Sequence, residues 1–349
     1  MSLRERLIAE IVERGPLRVS DYMDRCLHDP DDGYYTRRPE LGSQGDFITA
    51  PLVSQMFGEL VGLCAIALWD QLGQPAGFRL VELGPGDGTM MSDVLRAARA
   101  APAFLTAAEV WLVETSAPLR ARQAASLAGT EINWANTLWE VPTNAPVIIL
   151  ANEFLDCLPI DQWITDAGAL KERRVGVDAA GELAFVRQGA DGFSTFAGGI
   201  IEEHSAALET FGEGVGRLFT NTPGAGLFID YGRDQPGPGD SLQALRGHLK
   251  ENPLASPGHA DLTALVDFPA FMAAARRGGS TVAPLLTQAE FLQRMGIEVR
   301  ASALARTNPA KSDLITRQLE RLTSSAQMGD LFKVARIYSP LLAPFPEPR

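Results

Sequence analysis

"VELGPGDGTMM", residues 81–91, sets three glycines within five positions, between an apolar run and a run with helical periodicity. Glycine tolerates positive φ and lets backbone pass close to a ligand, so Gly84, Pro85, Gly86 and Gly88 predict a tight strand-to-helix turn. Working outward, "FRLVEL" (78–83) reads as the strand before the turn, and Met90, Met91, Val94, Leu95 and Ala98 line one face of the helix after it. "EVWLVE" (109–114) is then followed by "SAPLRARQAASL" (116–127), and "APVIILAN" (145–152) comes after them. This βαβαβ order predicts an α/β fold with a parallel sheet, where ligands sit outside the carboxyl ends of the strands.

On the amino-terminal side, Leu3, Leu7, Ile8, Ile11 and Val12 recur at helical spacing, a second short helix is expected over 20–27, and an apolar helix over about 54–72. These predict a helical cover over 1–75 ahead of a sheet domain over 76–349. "LKERRVGVDAAGELAFVRQG" (170–189) reads as a hairpin turning at Ala180-Gly181, within an insertion of about 165–195. Residues 233–286, rich in Pro and Gly, read as an inserted lid or substrate segment. "AGLFIDYG" (225–232), "EVRAS" (298–302) and "LFKVARIYS" (331–339) are expected strands, and "TQAEFLQRMG" (287–296) a helix.

The chain has 349 residues, 46% of them hydrophobic, and a formal net charge of −12. That is enough apolar content for a substantial core. The acidic balance argues against a duplex nucleic-acid binder, whose affinity rests on Lys and Arg against phosphate, and favours a cationic partner. Cys26, Cys64 and Cys157 form no CxxC pair, which suggests neither a disulfide framework nor a structural zinc site, so no metal is expected. The longest uncharged apolar run, "LVGLCAIALW" (60–69), is about half the length of a membrane span. The start of the chain resembles neither a secretory signal nor a transit peptide, so no membrane insertion is expected, and a cytoplasmic, bacterial protein is.

Charge around the turn bears on its ligand. The segment is G-P-G-D-G, not the G-x-G-x-x-G of dinucleotide sites. Glu82 precedes it and Asp87 lies within it, so a pyrophosphate would meet two carboxylates as well as a favourable helix N-terminus. S-adenosylmethionine carries a cationic sulfonium and ammonium and suits those carboxylates better. Glu114, ending the next strand, is placed to accept from both ribose hydroxyls, with Thr115 beside it, although NAD sites use the same device. A turn that is only a structural corner, with Glu82 and Glu114 as solvated strand ends, is the bland alternative.

"ANEFLDCLP" (151–159) brings Asn152, Glu153 and Asp156 to the same sheet edge. Methyl transfer is a displacement that mostly needs alignment, and carboxylates are natural clamps for the planar fork of an arginine acceptor. Otherwise Asn152 and Asp156 would cap a helix and Glu153 would be exposed. Asp230 and Tyr231 end another strand at this edge. No GxSxG elbow, GxxxxGK[ST] loop or HExxH helix is present.

Taken together, "GDFITAPLVSQMFGE" (45–59), "ELGPGDGTMMSDVLR" (82–96), "NEFLDCLP" (152–159), "HADLTALVDF" (259–268) and "MGDLFKV" (328–334) resemble the MidA-type methyltransferases. That family includes the mitochondrial complex I assembly-factor protein arginine methyltransferase. The resemblance implies a Rossmann-like class I methyltransferase with a seven-stranded mixed sheet, an N-terminal helical cover and an inserted lid. It also implies S-adenosyl-L-methionine as cofactor and symmetric dimethylation of an arginine in the 49-kDa-type, NuoD-like subunit of respiratory complex I. Matched by position, Glu82, Gly84, Gly86 and Gly88 belong to the cofactor turn and Glu114 to the ribose contact. Asn152 and Glu153 belong to methyl transfer, and Gly45, Asp46 and Phe47 to an element closing over the cofactor. Asp87 departs from the family, standing where many relatives carry Arg. A non-catalytic assembly chaperone that retains the cofactor pocket, an NAD-dependent oxidoreductase and a small-molecule methyltransferase are the competing readings.

Overall fold

The computed structural model describes residues 1–37, 49–166, 168–189, 192–195 and 198–342. The chain forms two compact units. One comprises Ile48–Leu155, Phe211–Asp234 and Val266–Arg349, and the other Met1–Phe47, Asp156–Thr210 and Gln235–Leu265.

In the first of these, α1 (Gln55–Gln71) precedes β1 (Phe78–Leu83), α2 (Thr89–Ala97), β2 (Ala108–Val113), α3 (Ala117–Ser126), β3 (Ile132–Ala135) and β4 (Val147–Asn152). After β5 (Gly224–Arg233) come α4 (Phe268–Arg277), β6 (Thr281–Val282), α5 (Gln288–Arg294), α6 (Ile297–Thr307), α7 (Ser312–Thr323) and β7 (Phe332–Tyr338). The seven labelled strands run β6-β7-β5-β4-β1-β2-β3 across one sheet, with Val266–Asp267 and Leu286–Thr287 pairing at its side. Neighbours from β5 through β3 are parallel, while β7 is antiparallel to β5 and β6. The mixed sheet agrees with the expected fold class.

Central strands are covered on both faces, so their sequences are apolar throughout rather than alternating. All six residues of β4 are buried, and five of six in β1. Phe78, Phe104 and Trp69 make one aromatic group, with Phe78 and Phe104 ring centres 5.0 Å apart. Phe211, Phe228 and Phe271 make another. Helix α1 lies close on α2 because Gly58 and Gly62 lack side chains at the crossing; a Cβ on Gly58 would fall 2.5 Å from Cβ of Asp93. Beside it, buried Glu59 accepts from the guanidinium groups of Arg96 and Arg300.

The chain leaves β1 toward β2 and β3, then returns to build β4 and β5 on the other side. The order of connection therefore reverses between β1 and β4, where the turns after the strands diverge and leave a crevice for a ligand.

The other unit pairs two amino-terminal helices, Leu3–Arg14 and Val19–His28, with antiparallel strands. Leu3, Leu7, Val19, Tyr22, Met23 and Leu27 share its core with Val175, Leu183 and Leu262. Ala169–Val177 and Leu183–Gly189 form the expected hairpin, with a turn at Asp178–Gly181. Arg6 clamps Asp29 at 2.8 Å and Asp32 at 3.0 Å, tying the two helices.

Two expectations need correction here. A helical cover over 1–75 is not how the chain groups, since α1 falls in the unit that holds the large sheet. "EVRAS" is helical within α6: Ile297 and Ala301, four apart, are buried while Val299 is 74% exposed. A short run of mixed polarity does not separate period 2 from period 3.6.

Candidate cofactor and methyl-transfer site

Strand β1 ends in the glycine turn with φ of +59°, +56° and +84° at Gly84, Gly86 and Gly88. Gly84 donates to the Val113 carbonyl (3.1 Å) and Gly88 to that of Pro85 (2.9 Å), closing the corner. The φ values explain the spacing, because a side-chain-bearing residue costs about 1–2 kcal/mol in the left-handed region. Space is also short at Gly84, where a Cβ would lie 3.2 Å from the Phe154 ring. Asp87 accepts from Thr89 N–H at 3.0 Å and so opens α2, the role of a short acceptor at a helix start.

Glu82 is 2% exposed, and its Oε2 has no hydrogen-bond partner. Burial pushes its carboxyl well above the ordinary carboxylate range; Asp87 adds to the rise, and a backbone hydrogen bond from Met91 opposes it. Glu114 is buried just past β2. Its Oε1 accepts from Ser116 N–H at 2.8 Å and its Oε2 from Gln123 Nε2 at 3.3 Å. Burial raises its carboxyl too, and these two bonds together with the Thr115 backbone and Arg120 work against that rise. Thr115 itself is exposed and Pro85 buried.

At the end of β4, Asn152 is buried and its Nδ2 donates to Glu153 Oε1 at 3.1 Å, while its Oδ1 has no partner. Glu153 carries φ +52°, one of only three non-glycine residues with positive φ among the described residues. Such strain clusters where function demands a particular direction for a side chain. Asp230, fully buried on β5, holds this conformation: its Oδ2 accepts from Phe154 N–H (3.0 Å) and Leu155 N–H (2.8 Å). Glu153 N–H donates to the Ile229 carbonyl at 2.9 Å, and its Oε1 accepts from Ala50 N–H at 3.3 Å.

Thus Glu82, the glycine turn, Glu114, Asn152 and Glu153 lie at carboxyl ends of β1, β2 and β4 in one unit. Asp156, expected beside them, is grouped with the other unit, where its carbonyl accepts from Ala264 N–H at 3.0 Å. Asp46 and Phe47 lie outside the described residues, as does Gly45. Sequence reasoning missed Ser116, Gln123 and the clamping role of Asp230. Only their residue types hinted at it, since a buried polar side chain must find partners.

The arrangement fits S-adenosyl-L-methionine. Glu82 Oε2, Asn152 Oδ1 and the Ser116 hydroxyl are buried polar atoms without partners at adjacent strand ends. Asn152 Oδ1 only accepts, as does the Glu82 carboxylate once ionised, and an unmet buried acceptor favours a ligand that donates. An ammonium group and ribose hydroxyls are such donors; a pyrophosphate brings none.

Comparison with known proteins agrees. Residues 60–285 match the family described as "Putative S-adenosyl-L-methionine-dependent methyltransferase". The chain is 34% identical to the mitochondrial protein arginine methyltransferase NDUFAF7 homolog of Drosophila melanogaster, over 98% of this chain and 86% of that protein. It is 32% identical to the human mitochondrial protein arginine methyltransferase NDUFAF7, over 93% and 81%. A crystal structure of a COG1565 superfamily member from Burkholderia thailandensis bound to S-adenosyl-homocysteine superposes with a TM-score of 0.81 at 26% identity, covering 96% of this chain and 91% of that one. The expectation of a cytoplasmic protein is overturned by the Drosophila and human relatives, which are mitochondrial. Among the described residues no helix is long and apolar enough to cross a membrane.

Proposed function

The chain belongs to the family of S-adenosyl-L-methionine-dependent methyltransferases and uses S-adenosyl-L-methionine as its cofactor; from that premise we propose that it methylates an arginine of a partner protein through the residues at the ends of β1, β2 and β4. The finer reading is symmetric dimethylation of an arginine in the NuoD-like, 49-kDa-type subunit of respiratory complex I, which aids assembly of that complex. Relatives named as protein arginine methyltransferases support an arginine acceptor.

When bound, the cofactor supplies a methyl group on a cationic sulfur. Glu82 offers a carboxylate to its ammonium group, the glycine turn brings backbone N–H groups near its carboxylate, and Glu114 accepts from its ribose. Asn152 and Glu153 hold and orient the acceptor. An arginine stays protonated in water, so its nitrogen lone pair is delocalised and a poor nucleophile. A carboxylate that grips the guanidinium fork localises charge away from the reacting nitrogen, fixes its direction and receives the proton that leaves as the N–C bond forms and the sulfur–methyl bond breaks, its electron pair staying on sulfur. Glu153 suits this role because its strained backbone is held by Asp230, which leaves little freedom in where the carboxylate goes.

The observation carrying the proposal is that strained, clamped glutamate beside Asn152. The test is incubation of the purified protein with S-adenosyl-L-methionine and the candidate subunit, read by mass spectrometry for methylarginine. Symmetric dimethylarginine with wild type and none with Glu153→Gln is the expected result. An unmodified subunit, with methylation of a small molecule instead, overturns the protein-arginine assignment.

A further inference from the structure

Helix α3 carries Arg120 and Gln123 three residues apart, on one face. Arg120 reaches the carbonyl of Glu114 through Nε at 2.8 Å, and through Nη2 the Ala135 carbonyl at 3.2 Å and Asn136 Oδ1 at 3.1 Å. Gln123 is fully buried. Its Nε2 donates to the Gly86 carbonyl at 2.8 Å and to Glu114 Oε2 at 3.3 Å, and its Oε1 accepts from Trp134 Nε1 at 2.9 Å. One amide therefore joins the turn after β1, the carboxylate after β2 and a residue within β3.

We infer that Gln123 is a positioning residue for the cofactor site, setting the Glu114 carboxylate and the glycine turn in place before the cofactor arrives. The inference rests on the reading that Glu114 accepts from the ribose hydroxyls. Its geometry is determined by donor and acceptor types. An indole N–H only donates, so it faces the amide oxygen, and the NH₂ end is then left to point at two acceptors, the Gly86 carbonyl and Glu114. A glutamate at 123 would set a third acceptor against those two. Glu114 is thereby held on both oxygens before a ligand arrives, on Oε1 by Ser116 N–H and on Oε2 by Gln123. The turn and α3 also lie beside each other: a Cβ on Gly88 would meet Cα of Gln123 at 3.4 Å, an ordinary van der Waals contact. A site organised in advance loses less freedom on binding.

The test is calorimetry with S-adenosyl-homocysteine and its 2′-deoxy analogue on the full chain. In the wild type the deoxy analogue is expected to bind about 10–100-fold more weakly, the value of one lost hydrogen bond to a charged group. Gln123→Met keeps the bulk and removes the hydrogen bonds. It is expected to weaken S-adenosyl-homocysteine about tenfold or more and the deoxy analogue much less, so that the ratio between the two ligands collapses toward that of Glu114→Gln. Trp134→Phe leaves Gln123 in place but removes the donor that orients it, and a smaller collapse is expected. This variant carries the test should Gln123→Met fail to fold. Equal weakening of both ligands, or an unchanged ratio, overturns the positioning role while leaving Glu114 its ribose. A wild type that does not discriminate between the ligands overturns the ribose reading of Glu114 and this inference with it.

Discussion

Replacing Glu82 by Gln tests the electrostatics of the site most directly, because the free protein and the cofactor complex respond with opposite signs. In the free protein the carboxyl is 2% exposed, next to Asp87, and raised well above its ordinary value by desolvation. Between the unfolded value of about 4.3 and the raised folded value, the folded state holds more protons than the unfolded. Stability therefore falls as pH rises through that window, by up to about 1.4 kcal/mol per pH unit. Glutamine does not titrate, so Glu82→Gln removes this decline and melts higher at neutral pH. Cofactor binding runs the other way. A hydrogen bond from a charged group contributes about 1.5–3 kcal/mol, so the variant is expected to bind S-adenosyl-L-methionine about 10–150-fold more weakly. Wild type should also release a proton as the cationic cofactor stabilises the carboxylate, and its affinity should rise with pH through the same window. Calorimetry in two buffers of different ionisation enthalpy measures both affinity and proton release. Wild-type affinity in Glu82→Gln, with no proton released by wild type, would refute the reasoning.

Other expectations follow from neighbouring groups. Asp230→Ala strips three backbone N–H groups, those of Phe154, Leu155 and Tyr231, of a charged acceptor and should cost about 2–4 kcal/mol in urea unfolding, with loss of methyl transfer. Glu153→Gly relieves the positive φ, so thermal stability should hold or rise by about 1 kcal/mol while methylarginine formation disappears; a marked loss of stability would argue against backbone strain there. Burial pushes the Asp93 carboxyl to about 6, against the pull of Arg96. Stability should therefore decline between about pH 4 and that value, and Asp93→Asn should flatten this part of a melting-temperature profile. Gly58→Ala drives a methyl into Asp93 at the crossing of α1 and α2 and should cost about 1–3 kcal/mol by denaturant titration.

What the amino-acid sequence determined by itself is local. Uniformly apolar runs such as "VIILAN" mark strands buried on both faces, since neighbours in sequence share that environment. Glycines at 84, 86 and 88 mark positive φ, a property of the residue and not of its surroundings. The charge of Glu82 and Asp87 at that turn could be judged against a ligand without coordinates, and the choice of a sulfonium donor over a diphosphate rested on it. The tertiary structure decided everything that depends on which distant segments meet. Pairing of β4 with β5 sets Asp230 against a turn more than seventy residues earlier and forces Glu153 into a conformation its own residue type disfavours. The turn of α3 brings Gln123 to Gly86 and Trp134, a meeting that no periodicity encodes. Asp156 stands three residues after Glu153 yet groups with a different unit, because burial against a core, not distance along the chain, decides where a side chain belongs.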